Sequence, residues 1–355
     1  MGGGKHVNPY YLGFVKKSLR ENLPYDEFVR RLITANGQAW ENGAVGYTFR
    51  DNGMPLDHLA NTVRIFLGTR LECAQCHDHP FDKWTQMEFY QMAAFSYGMR
   101  PDSRSSVPGL DEALDILRKE TPDRAHYANL RRASTDIMGP LRSEKTTVIY
   151  NPGEQLTLPH DYQYEDAKPR SPVRPAVMFG STTQPNIESY AKWMTSPDNP
   201  RFTVVIANRL WKQAMGLGFI EPVDELRDTT QSHIPGLSEY LARLMVGLDY
   251  DMRAFLAALF NSQAYLSQAT LTEPHPEEFY HFPGPILRRM TAEQTWDSVV
   301  TLINPHTEGG DWKLAQQTQV REARQLMMLE AINKYTGKRT HRMDQKSPGD
   351  APGQQ

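Results

Sequence analysis

The sequence predicts a mainly α protein, and three observations support this fold class. The segment that begins at Pro55 places five apolar side chains on one face at helical spacing, namely Leu56, Leu59, Val63, Phe66 and Leu67. Thr85 and Glu88 have the spacing of a capping box, which begins the next helix. Strand-like sequence is short: TTVIY and QLTL flank Asn151-Pro152-Gly153 and together predict one small β-hairpin.

Helices are predicted throughout the residues that precede this hairpin. Asn8 and Pro9 cap and open a first helix, PYDEFVRRLI forms a second, and residues 37–54 form a Gly- and Asn-rich loop. The helix that begins at Pro55 runs directly into a short turn that holds both cysteines, and the capping-box helix follows through about Tyr97. One more helix, LDEALDILRK, is predicted within residues 101–135.

Helical patterns return after a proline-rich, charged loop at residues 159–175. Asn186 and Asp251 are predicted helix caps, a long helix ends at Gly216, and Thr291 begins another capping box. The domain prediction has four parts: a helical domain that carries the cysteine motif (1–100), an irregular insert with the β-hairpin and the proline-rich linker (101–185), a second helical domain that ends in a charged helix at about 316–335 (186–336), and a disordered tail (337–355).

Composition excludes several classes of protein. The 355-residue chain is 39% hydrophobic and 10% aromatic, so it can bury a substantial core. Its net charge of -3, from 39 basic and 42 acidic side chains, favours neither nucleic acid nor an anionic membrane as a partner. The apolar runs are only a few residues long, so we expect no transmembrane segment. Two cysteines exclude a scaffold stapled by several disulfides.

The N-terminus, MGGGKHVNPYY, lacks the apolar region of a secretory signal. It also lacks a myristoylation signal, because position 6 is His6 rather than Ser or Thr. Helix-like sequence begins abruptly at Asn8. We therefore expect that an upstream part is missing from this chain.

Residues 73–84, CAQCHDHPFDKW, contain both cysteines. In the spacing C-x-x-C-H, two thiols one turn apart can add to the two vinyl groups of a haem, and the histidine that follows can bind the iron. This pattern predicts Cys73 and Cys76 as thioether anchors and His77 as an axial ligand of haem c. Accident is a poor explanation, because the only two cysteines and a following histidine rarely meet this spacing by chance.

The sixth iron ligand stays open. His79 points away from His77 in most local conformations, which leaves Met87, Met92 and His58 on the flanking helices as candidates. The simpler interpretation of the methionines is that they fill the core. Five-coordinate iron is the alternative.

Other chemistries fit the same residues. A zinc site would use both thiolates with His77 or His79, but no obvious second short-spaced ligand pair exists. A redox dithiol is normally set in a βαβ unit, whereas this neighbourhood is helical. The cluster of His77, Asp78, His79 and Asp82 is also a candidate metal or acid–base site. The interpretation that we favour is that the two aspartates cap helices or orient a ligand histidine.

The stretch FLGTRLECAQCHDHPFDKWTQMEFYQMAAF resembles the signature of planctomycete-type cytochrome c domain proteins, which carry two adjacent domains of unknown function. The matching positions in the first domain are Phe66-Leu67-Gly68, Cys73, Cys76, His77, Asp78, His79, Phe81, Asp82, Tyr90 and Ala94-Phe95. The signature of the second domain is similar to residues 196–200, 208–211, 221–224 and 288–294. Together the two signatures cover most of residues 10–300.

The second region departs from the family at two places. Lys212-Gln213-Ala214 stands where the family tends to have a histidine, and the segment from His233 to Leu237 lacks the usual acidic residue. The resemblance therefore gives little support to a catalytic role there. Five charged residues of this region, Arg201, Arg209, Asp224, Glu225 and Arg227, are interpreted as buried ion pairs that hold helices in register, with an anion-binding pocket as the alternative.

The resemblance implies export across the inner membrane and a periplasmic or cell-surface location, provided that a signal peptide precedes this chain. We therefore predict an exported haem c-binding protein for electron transfer or a redox complex, with a redox partner protein and no nucleic acid. The alternatives are a zinc-binding protein or a metal-dependent hydrolase that uses the Cys/His/Asp cluster without haem, and a non-catalytic scaffold. The sequence does not decide whether the protein is an enzyme.

Overall fold

The computed structural model describes residues 9–39, 41–51, 53–102, 147–271 and 282–303, together with residues 119 and 128. In these ranges the chain forms eleven α-helices, two 3-10 helices and one small antiparallel sheet. The mainly α class predicted from the sequence is confirmed. Apart from Lys119, the predicted helix LDEALDILRK lies outside the described residues, as do the charged helix at 316–335 and the polar tail.

Five described α-helices precede the insert, and the cysteine motif lies between the last two. They are α1 (Pro9–Arg20), α2 (Tyr25–Ile33), α3 (Gly46–Phe49), α4 (Pro55–Leu67) and α5 (Gln86–Ser96), with 3-10 helices at Gly43–Val45 and Glu72–Gln75. The predicted capping box of α5 is present in both directions: the Glu88 N–H donates to Thr85 Oγ1 at 3.1 Å, and the Thr85 N–H donates to the Glu88 carboxylate at 2.9 Å.

Six helices follow the sheet. They are α6 (Ile187–Met194), α7 (Phe202–Met215), α8 (Leu237–Gly247), α9 (Met252–Phe260), α10 (Gln263–Leu266) and α11 (Ala292–Ile303). The predicted caps of α6 and α9 are confirmed, because Asn186 Oδ1 accepts the Ser189 N–H at 2.9 Å and Asp251 Oδ1 accepts the Ala254 N–H at 2.8 Å.

The predicted β-hairpin is wrong in its pairing. The strand β3 (Thr147–Tyr150) lies between β1 (Gly37–Gln38) and β2 (Met99–Asp102), and both pairs are antiparallel. The QLTL segment instead contacts residues 171–173 through two backbone hydrogen bonds of 2.9 and 3.0 Å. The physical reason is that the partners of a strand depend on packing between distant segments, which local alternation does not specify.

The described residues belong to two compact units. Residues 1–105 with 145–291 form one unit, and residues 106–144 with 292–355, which include α11, form the other. In the first unit, aromatic side chains from both halves of the sequence share one core: the rings of Tyr25 and Phe202 stack at 5.4 Å, and those of Phe95 and Tyr190 stack at 5.0 Å. The domain boundaries predicted at 100, 185 and 336 stay predictions.

None of the described helices is long and apolar enough to cross a membrane.

Gly68 ends α4 and turns the chain toward the cysteine motif. Its φ of 59° lies in the left-handed region, and its N–H donates to Arg64 O at 3.2 Å. A Cβ at this position would lie 2.9 Å from Val205 Cγ2 and 3.0 Å from Leu226 Cδ1. The Gly68 carbonyl also accepts the Leu226 N–H at 2.7 Å. Glycine is therefore required both for the helix end and for close packing.

We expect Gly68→Ala to destabilise the protein by about 1–3 kcal/mol, because the new Cβ is strained and overpacks against two side chains. The free energy of unfolding in urea measures this loss. Gly13→Ala is the control, since a Cβ at Gly13 in α1 meets nothing within 4 Å. Equal unfolding midpoints for the two variants would contradict this account of Gly68.

Candidate functional site

The cysteine motif lies in the loop between α4 and α5. Cys73 is part of the Glu72–Gln75 3-10 helix, and the N–H groups of Cys76 and His77 donate to its carbonyl at 3.2 and 3.3 Å. The motif is therefore one tight turn. Both thiols are free and exposed, and the His77 side chain is exposed as well.

Buried residues on both sides fix this turn. Leu71 and Ala74 are at most 1% exposed, and Trp84 is 2% exposed. The His79 N–H donates to Trp84 O at 2.8 Å, and the Gln86 side chain donates to Gln75 O at 3.1 Å. The backbone of the motif is thus held from the core while the thiols remain accessible.

Asp78 has structural partners. Its Oδ1 accepts the N–H of Gln86, the first residue of α5, at 2.8 Å. The interpretation of Asp78 as a helix cap is confirmed. Its own N–H donates to the Tyr164 hydroxyl at 2.7 Å, so a residue of the proline-rich loop supports the motif. Sequence reasoning missed Tyr164, whose only signal is its aromatic character beside Tyr162, which is buried.

The contacts of His77 leave one of its two ring nitrogens, Nε2, available to bind a metal. Its Nδ1 lies 2.7 Å from the Asp78 carbonyl oxygen. Because a carbonyl oxygen can only accept, Nδ1 carries a proton, and Nε2 of the neutral ring keeps its lone pair. Histidines that bind metals commonly have this arrangement, with the second nitrogen hydrogen-bonded to a carbonyl or carboxylate.

The other two members of the predicted metal cluster make local contacts. His79 Nδ1 accepts the Phe81 N–H at 3.2 Å, and Asp82 Oδ1 accepts the Lys83 N–H at 2.8 Å, which is a turn contact rather than a helix cap. Within the part of the chain that the structure describes, no group of three or more His, Cys, Asp and Glu side chains is arranged to hold a metal ion. The alternative of a metal site at His77, Asp78, His79 and Asp82 is therefore not favoured.

The candidates for a sixth iron ligand differ in position. Met92 is 1% exposed and fills the core. His58 lies in the first turn of α4, while the motif follows the last turn, so roughly 13 Å of helix rise separates them. Met87 is half-buried at the second residue of α5, which makes it the candidate next to the motif.

A cleft of about 380 Å³ opens beside Cys73, and charged side chains line it. Arg64 lies 3.4 Å from Glu72, and Arg70 lies 3.6 Å from Glu225, which also pairs with Arg227. Phe81, which is 76% exposed, forms part of the same wall. Because the arginines have carboxylate partners, the arrangement supports structural ion pairs rather than an anion-binding pocket.

Arg201 is the most buried of the charged residues singled out in the sequence. Its guanidinium donates to Thr69 Oγ1, to Leu226 O at 2.6 Å and to Asp228 Oδ1 at 2.8 Å. It also lies over the rings of Phe179 and Trp84, at 5.1 and 5.7 Å. Arg209, in α7, pairs with Asp224 at 2.7 Å, but the two side chains are 28% and 39% exposed, so this is an ion pair and not the buried one that the sequence predicts.

Two family models match this chain. Residues 4–100 match PSCyt2, described as a protein of unknown function (DUF1549), and residues 188–347 match PSD1, described as a protein of unknown function (DUF1553). The chain carries both domains. No curated protein and no solved structure matches the sequence.

Contacts between the two domains support the cysteine turn. Thr69, in the DUF1549 domain, accepts a hydrogen bond from Arg201 of the DUF1553 domain. Lys83 pairs with Asp228, and hydrogen bonds from Lys83 and then Arg201 lower the pKa of Asp228 below its ordinary value. The start and the end of the motif loop are therefore both anchored on the DUF1553 domain.

We expect Arg201→Met to destabilise the protein by about 3 kcal/mol, because buried acceptors on Thr69 and Leu226 lose their donor. Urea unfolding measures the change. Arg227→Met removes an arginine whose side chain is 40% exposed and is the control, with an expected loss of less than about 1 kcal/mol. Equal losses would contradict a special role for the buried guanidinium.

Tyr164→Phe should lower the free energy of local opening of the motif turn by about 1 kcal/mol, since the Asp78 N–H loses its acceptor. Hydrogen exchange read at the Asp78 amide should become faster in this variant. Tyr240→Phe, at a tyrosine that is 58% exposed, should leave that amide unchanged. Unchanged exchange in Tyr164→Phe would show that Tyr164 does not hold the turn.

Proposed function

We propose that this protein is an exported haem c-binding protein that serves electron transfer, by itself or in a redox complex. Cys73 and Cys76 are the thioether anchors, and His77 is the axial ligand. The observation that carries the proposal is the donor set on one turn: two free, exposed thiols and an exposed imidazole whose Nδ1 donates to Asp78 O. The resemblance to planctomycete-type cytochrome c domain proteins adds support and is the reason for proposing export.

The remaining polar side chains of the motif already accept hydrogen bonds from backbone N–H groups. Asp78 caps α5, and His79 and Asp82 accept backbone N–H groups within the turn. The three groups that a covalent haem needs are the ones that project outward. This division fits haem attachment better than a zinc site, which would need His79 or a carboxylate to exchange its partner.

The chain's own residues would position the cofactor in a simple way. Leu71, Ala74 and Trp84 fix the backbone, and the thiols of Cys73 and Cys76 anchor the macrocycle. The Asp78 carbonyl orients the His77 ring and raises the basicity of Nε2. A haem, when bound, supplies a one-electron redox centre.

The test is expression of this chain behind a signal peptide, alongside a cytochrome c maturation system. We expect a haem-stained band on a denaturing gel and a c-type pyridine haemochrome spectrum. Cys73→Ala and Cys76→Ala should each leave one vinyl group unsaturated, which shifts the α-band to longer wavelength, and the double variant should lose the covalent band. His160→Ala, at an exposed histidine outside the motif, is the control and should keep the parent spectrum.

Two outcomes would overturn the proposal. A colourless protein with about one zinc ion per chain would establish the metal-binding alternative. A colourless protein without metal, which folds unchanged when both cysteines are replaced by serine, would establish a scaffold.

A further inference from the structure

A second pocket lies at the opposite end of α4 from the cysteine motif. Its volume is about 370 Å³, within the range of small-molecule sites. The loop before α4, the end of α5 and the strand β2 surround it, and its apolar walls are Met54, Pro55, Tyr97, Met99 and Pro101. Asp51 and His58 supply polar groups to the same lining.

Asp51 and His58 form a partly buried carboxylate–imidazole pair. His58 Nδ1 lies 3.3 Å from Asp51 Oδ2, and the two side chains are 13% and 10% exposed. Arg50 donates twice to the same oxygen at 2.7 and 2.9 Å, and Asn61 donates to the other oxygen at 3.1 Å. Both oxygens of the Asp51 carboxylate therefore accept hydrogen bonds from protein groups.

The charge state of this pair follows from its partners. Burial by itself would raise the pKa of Asp51, but the hydrogen bonds from His58 and Arg50 outweigh it and lower that pKa to about 2. An ionised carboxylate can only accept, so His58 Nδ1 carries a proton. When the ring is neutral, Nε2 keeps a lone pair that takes no part in the contacts with Asp51.

A small internal cavity adjoins the same residues. It measures about 10 Å³, enough for about one water molecule, and His58, Thr48 and Ser96 line both this cavity and the larger pocket. Tyr190 also lines it, and among the described residues the buried Tyr190 hydroxyl has no hydrogen-bond partner. The buried hydroxyl therefore lies beside space for one water molecule and does not line the larger pocket.

The residues that line the pocket also limit the charge of a ligand that could bind there. An anion would face the ionised Asp51, whereas a cation would have to compete with Arg50, which already pairs with that carboxylate at 2.7 Å. Arg100, at the rim, pairs with Glu154 and lies over the Tyr97 ring at 5.5 Å. Apolar walls around one hydrogen-bond acceptor favour a neutral molecule.

We propose that this pocket binds a small neutral molecule that has an apolar ring or chain and a hydroxyl group, and that His58 Nε2 accepts the hydrogen bond of that hydroxyl. Asp51 acts as a positioning residue, because its carboxylate holds the imidazole in the tautomer that can accept. This site is independent of haem attachment, since none of its residues belongs to the cysteine motif.

The probe is 4-propylphenol, compared with 4-propylanisole, which has the same ring and chain but no hydroxyl hydrogen. Calorimetric titration of this chain with each probe should show the phenol binding about 5- to 10-fold more tightly than the ether, as one hydrogen bond predicts. In protein with ¹⁵N-labelled histidine, the phenol should also shift the Nε2 resonance of His58.

His58→Leu should remove the preference, so that both probes bind equally, and His160→Leu should preserve it. Binding of neither probe to the folded parent protein, or equal binding of both, would overturn the proposal. A preference that persists in His58→Leu would overturn the assignment to His58. If His58→Leu does not fold, the phenol-to-ether ratio and the ¹⁵N shift of the parent protein decide the matter.

Discussion

The fold around the cysteine motif depends on the burial of one guanidinium. Arg201 is 4% exposed, and a charge at that depth is costly unless its donors are satisfied. Its acceptors come from three places, Thr69 after α4, Leu226 after α7, and Asp228 at the surface. Because these residues are far apart in sequence, the guanidinium keeps its partners only when the two halves of the unit are packed together.

This packing determines how the chain leaves α4. Gly68 lies against Val205 and Leu226, so no side chain fits there, and its carbonyl is paired with the Leu226 N–H. Thr69 and Leu71, which follow, are buried, and the 3-10 helix after them has Ala74 inward and Cys73 outward. The exposure of the thiols is thus a consequence of the anchored backbone on both sides of them.

Local signals in the sequence predicted local structure well. The apolar spacing from Pro55 predicts α4, the Thr85 and Glu88 pair predicts the start of α5, and the position of Asp78 just before α5 is consistent with its role as a cap. Each of these depends on residues within one or two turns of each other. The strand Thr147–Tyr150 was also recognised as a strand, but its partners were not, because pairing with Gly37–Gln38 and Met99–Asp102 depends on tertiary packing.

Contacts between distant segments could not be predicted from the sequence for the same reason. Tyr164 supports Asp78 from a loop whose prolines and charges predicted only a surface linker. The carboxylate–imidazole pair shows a subtler limit. Asp51, His58 and Asn61 are close in sequence, yet His58 and Asn61 lie on a helix, whereas Asp51 precedes it in a loop. Helical periodicity predicts that His58 and Asn61 lie on one face of the helix, but it does not predict the direction of the loop that carries Asp51. The network therefore forms only where the turn before Pro55 brings the carboxylate back over the helix, and that turn is set by packing.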